Sequence, residues 1–173
     1  MSEPPAPLRK TGHEKARAAA LRKREAATAA GLDEAFVAAL VERFYAAIRG
    51  DATLGPIFTA RIAEWPVHLE RMNRFWRAIL HGSGEYSGNP MQAHMALPGL
   101  TETHFVQWLT LFYATLRAVA AERGLGPAEQ AHVAQRARMI ADSLLTGITT
   151  RARGLAGARA GADLPTFTPA PPG

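Results

Sequence analysis

The chain has 173 residues, no cysteine, and 20 Lys and Arg against 15 Asp and Glu, for a formal net charge of +5. That length predicts one domain with enough apolar content for a single core. The absence of cysteine excludes disulfides, thiolate-held iron or zinc, and covalent haem attachment through a Cys-x-x-Cys-His motif.

Taken in chain order, basicity belongs to the ends. Residues 1–33 hold seven Lys and Arg against four Asp and Glu, while residues 34–150 hold ten against ten. The neutral middle argues against nucleic-acid binding by the core. Residues 1–12 are Pro-rich and are not expected to order by themselves. Residues 13–30 are strong helix formers with almost no large apolar side chain to bury. They read as a solvated helix, with contact to an acidic partner as the sharper alternative. No apolar run reaches spanning length and Met1-Ser-Glu-Pro-Pro lacks a leader pattern, so the expectation is a cytoplasmic protein without membrane contact.

Asp33 is a good N-cap for a first core helix over residues 34–49. Phe36, Val37, Leu40, Val41, Phe44, Tyr45 and Ile48 recur on one face at helical spacing. Tyr45 stands apart on that face because its hydroxyl needs a partner when buried, either a backbone carbonyl or a ligand. Leu54-Gly-Pro-Ile-Phe58 is expected to form a tight turn that delivers Phe58 inward.

Pro66 opens a second helix over 66–81, with His68 in its first turn and Met72, Phe75, Trp76 and Ile79 following on one broad side. The glycine-rich run His81 to Gly88 reads as a connector. Asn89-Pro90 then starts another helix that Pro98 stops almost at once. A helix of about two turns does not persist on propensity alone, so something must hold it, and His94 is the candidate anchor. The other histidines, His13, His81, His104 and His132, read as solvated or helix-end groups. Thr101 caps a third long helix over 101–122 with Phe105, Trp108, Leu109, Phe112, Leu116 and Val119 on its buried stripe. Gly126-Pro127 starts a last helix over 127–149, and the Ala/Gly/Pro-rich tail 150–173 reads as disordered.

Phe44-Tyr45, Leu54-Gly-Pro-Ile-Phe58, His68, Asn73-Arg-Phe-Trp76, Gly84-Glu-Tyr-Ser-Gly-Asn-Pro90, His94, Phe105-Val-Gln-Trp108 and Gln135-Arg-Ala-Arg-Met-Ile-Ala141 occur in this order. Together they resemble the group III truncated haemoglobins over about Leu32 to Ile148. The resemblance implies an all-α, two-over-two helical sandwich over 33–149; the basic extension 1–32 and the Pro-rich tail are longer than that family usually needs. It implies non-covalent haem b, with His94 as the iron ligand and its other ring nitrogen bonded to a backbone carbonyl. Phe58, Met72 and Phe75 would then wall the cofactor, and Arg71 would meet a propionate, its plainer role being a solvated arginine. Tyr45, His68 and Trp108 would surround a diatomic ligand such as dioxygen. Strong retention would favour nitric oxide dioxygenation or peroxide handling, with an electron donor, over delivery. A gas sensor signalling through the basic segment and a haem-free helical interaction module are the other classes left open.

Overall fold

The computed structural model describes residues 11–170, so most of the Pro-rich residues 1–12 and the last three residues lie outside the described part. Seven α-helices follow one another: α1 (Gly12–Ala29), α2 (Glu34–Gly50), α3 (Gly55–Thr59), α4 (Trp65–His81), α5 (Pro90–Met95), α6 (Glu102–Arg123) and α7 (Pro127–Arg153). A 3₁₀ turn, Gly154–Gly157, comes after α7. No strand occurs among the described residues.

The N-caps account for where the helices begin. Asp33 accepts the Phe36 N–H at 2.7 Å, and Asn89 accepts the Gln92 N–H at 3.1 Å, each satisfying a donor that the first turn leaves free. Prolines stand in the first turn of α3, α4, α5 and α7, where a missing N–H is harmless. Gly82 and Gly124 end α4 and α6 in the left-handed conformation at φ 67° and 64°.

The stripe on α2 is fully sequestered. Phe36, Val37, Leu40 and Ile48 are 0 % exposed, and each such side chain contributes about 1.5–3 kcal/mol by leaving water. It packs on Leu109, Phe112 and Leu116 of α6, which in turn meets Val133, Ala137 and Leu145 of α7. With α4 beside α2 and α7 beside α6, two helix pairs are stacked, and α5 lies against α7.

Three expectations are corrected. Leu54–Phe58 is not a bare turn, because Gly55–Thr59 forms a short helix whose start is held by Asp51, which accepts the Thr53 and Leu54 N–H groups. Of the two readings of His81, the solvated one falls and the helix-end donor holds: it is 1 % exposed and its Nε2 donates to the Leu32 carbonyl at 2.6 Å, joining the end of α4 to the start of α2. The tail is not disordered through Ala170. α7 continues to Arg153, and the segment beyond it folds back along α7 and α6. Arg138 donates to the carbonyls of Ala162 and Leu164, the Tyr113 hydroxyl to that of Pro165, and Arg117 to that of Thr168. Leu164 is 2 % exposed, and Phe167 lies under the Arg117 guanidinium and against Tyr113. A low-complexity tail orders here because two arginines and a tyrosine supply the donors its carbonyls need.

Candidate functional site: an apolar cleft with two histidines

A cleft of about 1120 Å³, open mouth included, lies between α4, α5, α6 and α7. Tyr45, Phe58, His68, Arg71, Met72, Phe75, His94 and Trp108 all line it, so every site residue expected from the sequence meets in one place.

His94 enters from α5. Its Nδ1 lies 2.7 Å from the Pro90 carbonyl oxygen, one helical turn back. A carbonyl only accepts, so Nδ1 carries a proton, and in the neutral ring Nε2 is then the nitrogen that offers a lone pair. That is the state a neutral imidazole needs to bind a metal, with the carbonyl raising its basicity.

His68 lines the cleft from the first turn of α4, the turn that Pro66 opens. Its Nε2 is buried and has no hydrogen-bond partner. Burial, with the Arg71 guanidinium as a lesser cause, pushes its pKa below the usual histidine value, so the ring stays neutral. The ring stands edge-on to Tyr45 at 4.9 Å and to Trp65 at 6.0 Å. Tyr45 is 6 % exposed, and burial raises its pKa far above that of a free phenol, with Tyr86 adding to the effect. It therefore remains a protonated donor at any physiological pH.

Trp108 is held by ring packing. It stacks on Phe112 at 5.5 Å and 13° and meets Phe44 edge-on at 5.2 Å. One residue earlier, Gln107 donates to Asp51 at 2.6 Å, which fastens this part of α6 to the corner that carries Phe58. Phe58, Met72 and Phe75 supply half-buried apolar walls. Arg71 is exposed at the rim and takes part in none of the ion pairs among the described residues.

Two titratable wall residues escaped the sequence reading. Tyr86 lines the cleft and packs edge-on to Phe75 at 5.0 Å. Nothing in the glycine-rich loop distinguishes it from a solvated tyrosine until Glu85 is seen tied to Arg77. His104 also lines the cleft, and its Nδ1 accepts the Thr101 N–H at 3.0 Å. The Thr-x-x-His spacing at the start of α6 is the signal for it, with histidine in the place usually taken by Glu or Gln of a capping box.

A free imidazole nitrogen, apolar walls, an orphaned buried donor-acceptor atom and a rim cation together fit a haem. Among the described residues no cluster of three or more His, Asp or Glu side chains offers an alternative metal site. No helix there is long and apolar enough to cross a membrane.

Comparison with known proteins agrees with this geometry. The family model for bacterial-like globins matches residues 28–142. The group 3 truncated hemoglobin of Campylobacter jejuni is 36 % identical over 114 residues, covering 64 % of this chain and 86 % of that protein. The crystal structure of group III truncated hemoglobin from Campylobacter jejuni superposes with a TM-score of 0.59 at 34 % identity, covering 65 % of this chain and 87 % of that one.

Proposed function

Because this chain belongs to the bacterial-like globins, and within them to the group III truncated haemoglobins, we propose that its cleft takes a non-covalent b-type haem on His94 and retains a diatomic ligand for redox chemistry more than for delivery. The observation that carries this reading is the buried His68 Nε2, left without a protein partner beside a protonated Tyr45 in the cleft that His94 also enters. An unpaired buried polar atom costs about 1–3 kcal/mol, and a ligand that pairs with it recovers that cost. When bound, the haem supplies an iron centre for a gas such as dioxygen.

The rest is the work of this chain's side chains. Tyr45, His68 and Trp108 offer polar hydrogens in a wall otherwise made of Phe58, Met72 and Phe75. In so dry a setting each donor is worth about 1–3 kcal/mol to a polar ligand, or roughly tenfold to a hundredfold in its release rate. Slow release suits nitric oxide dioxygenation or peroxide handling and requires a separate electron donor. Arg71 stands at the rim as the partner for a propionate. The absence of cysteine supports non-covalent attachment.

The test is a set of absorption spectra and oxygen dissociation rates for the parent chain and for Tyr45→Phe, His68→Leu and Trp108→Phe. At least one variant is expected to release oxygen about ten times faster or more. Unchanged rates in all three would sink the retention account while leaving the haem in place.

A second reading, a gas sensor with α1 as its output, draws on one contact. Lys23 of α1 donates to the Ile79 carbonyl of α4, the helix that carries His68. Ligand rates that do not change when residues 1–30 are removed would speak against it.

A further inference from the structure

α5 has six residues, and none of its side chains is fully buried. Before it runs the glycine-bearing segment 82–88 and after it Pro98-Gly99, neither of which is regular structure. Its placement therefore depends on how it seats against α7. The seat is specific. Gly147 is the only glycine in the 27 residues of α7, and a Cβ there would lie 2.6 Å from the Met91 Sδ and 2.7 Å from its Cε. Both distances are shorter than a real Cβ contact allows, so the thioether occupies the space that any larger residue would fill. Gly147 has an ordinary helical backbone, not a positive φ, so no conformational demand explains a residue that is a poorer helix former than alanine. Close approach does explain it. One turn further along, Met95 lies against the same helix, with Arg151 Nη1 3.6 Å from its Sδ.

We propose that Gly147 is a positioning residue for His94: bare backbone at this point of α7 receives the Met91 thioether, and that contact sets how far α5 carries the His94 imidazole into the cleft. The inference rests on His94 being the iron ligand. Met91 and His94 are three residues apart and so share one side of a two-turn helix, and anything that lifts Met91 off α7 moves His94 with it. Methionine suits the notch because its unbranched thioether adapts to an irregular gap. The side chain can also swing away, so the test must fill the notch with a branched residue and then remove the side chain it displaces.

The experiment uses the haem-loaded full chain. The iron–histidine stretching band of the ferrous protein is recorded by resonance Raman scattering for the parent, Gly147→Val, and Gly147→Val combined with Met91→Ala. Thermal unfolding of each apoprotein is followed alongside. Gly147→Val is expected to shift or split the band, and Met91→Ala in the same chain to return it to the parent position. A parent-like band in Gly147→Val, or a displaced band that Met91→Ala fails to restore, overturns the proposal. Should Gly147→Val not fold, Gly147→Ala is judged by the same criterion. A parent chain with no such band, or a band that survives His94→Gly, overturns the ligand assignment itself and is recognised without any Gly147 variant.

Discussion

The His94 imidazole is braced by its own helix: Nδ1 donates to the Pro90 carbonyl at 2.7 Å, and Pro90 is the residue that starts α5. The proline that permits so short a helix also presents the carbonyl that orients its histidine. Because no side chain of α5 is buried, His94→Gly should leave apoprotein stability within about 1 kcal/mol of the parent, chiefly the glycine penalty in a helix. Haem retention should fall sharply, and free imidazole should restore a histidine-like spectrum. Urea unfolding of the apoprotein and haem transfer to an acceptor globin measure the two effects separately.

His68 carries opposite signs for stability and for function. The buried, unpartnered Nε2 of His68 is a cost to the apoprotein, so His68→Leu should stabilise it by about 1 kcal/mol or leave it unchanged. The same change should speed oxygen release about tenfold if the ring is a donor to the ligand. A variant that is both less stable and no faster in release would place His68 among packing residues.

Much of this site was legible because helical spacing and caps are local signals. Asp33, Asn89-Pro90 and Thr101 announce where α2, α5 and α6 begin, and the apolar periods of α2 and α6 put Tyr45 and Trp108 on inward faces. What escaped depends on contacts distant in sequence. His81 is buried because the Leu32 carbonyl, 49 residues away, needs a donor. The tail orders because Tyr113, Arg117 and Arg138 reach carbonyls on it. Composition alone sees only alanine, glycine and proline there. Gly147 likewise reads as a weak point in a helix until Met91 is seen above it.

The pH dependence follows from the depressed pKa of His68, caused first by burial and then by Arg71. In the unfolded chain this histidine binds a proton near pH 6.5, and in the folded chain only at lower pH. The unfolded state thus holds more protons between the two values, so folding stability is fully present above about pH 6.5 and is lost as pH falls toward the folded pKa. His132 is shifted the same way but is exposed and contributes less. Apoprotein denatured at pH 7.5 and at pH 5.5 should show a loss of stability on acidification that shrinks in His68→Leu. An identical loss in that variant would assign the acid sensitivity to other groups.

The C-terminal segment should be a substantial source of stability that is independent of the haem. Leu164 is 2 % exposed, Phe167 covers Tyr113, and four carbonyls from Ala162 to Thr168 accept side-chain hydrogen bonds from α6 and α7. Losing one buried leucine costs about 1.5–3 kcal/mol, and the exposed hydrogen-bonding groups recover water as partners, so their net loss is smaller. Ending the chain at Gly161 should therefore lower the unfolding free energy by about 2–5 kcal/mol, minus the backbone entropy the released segment regains. None of the removed residues lines the cleft, so the absorption spectrum of the haem-loaded protein should not change. Chemical denaturation reads the first effect and absorption spectroscopy the second. Stability unchanged on truncation would mean that the segment is only loosely applied to α6 and α7 in solution.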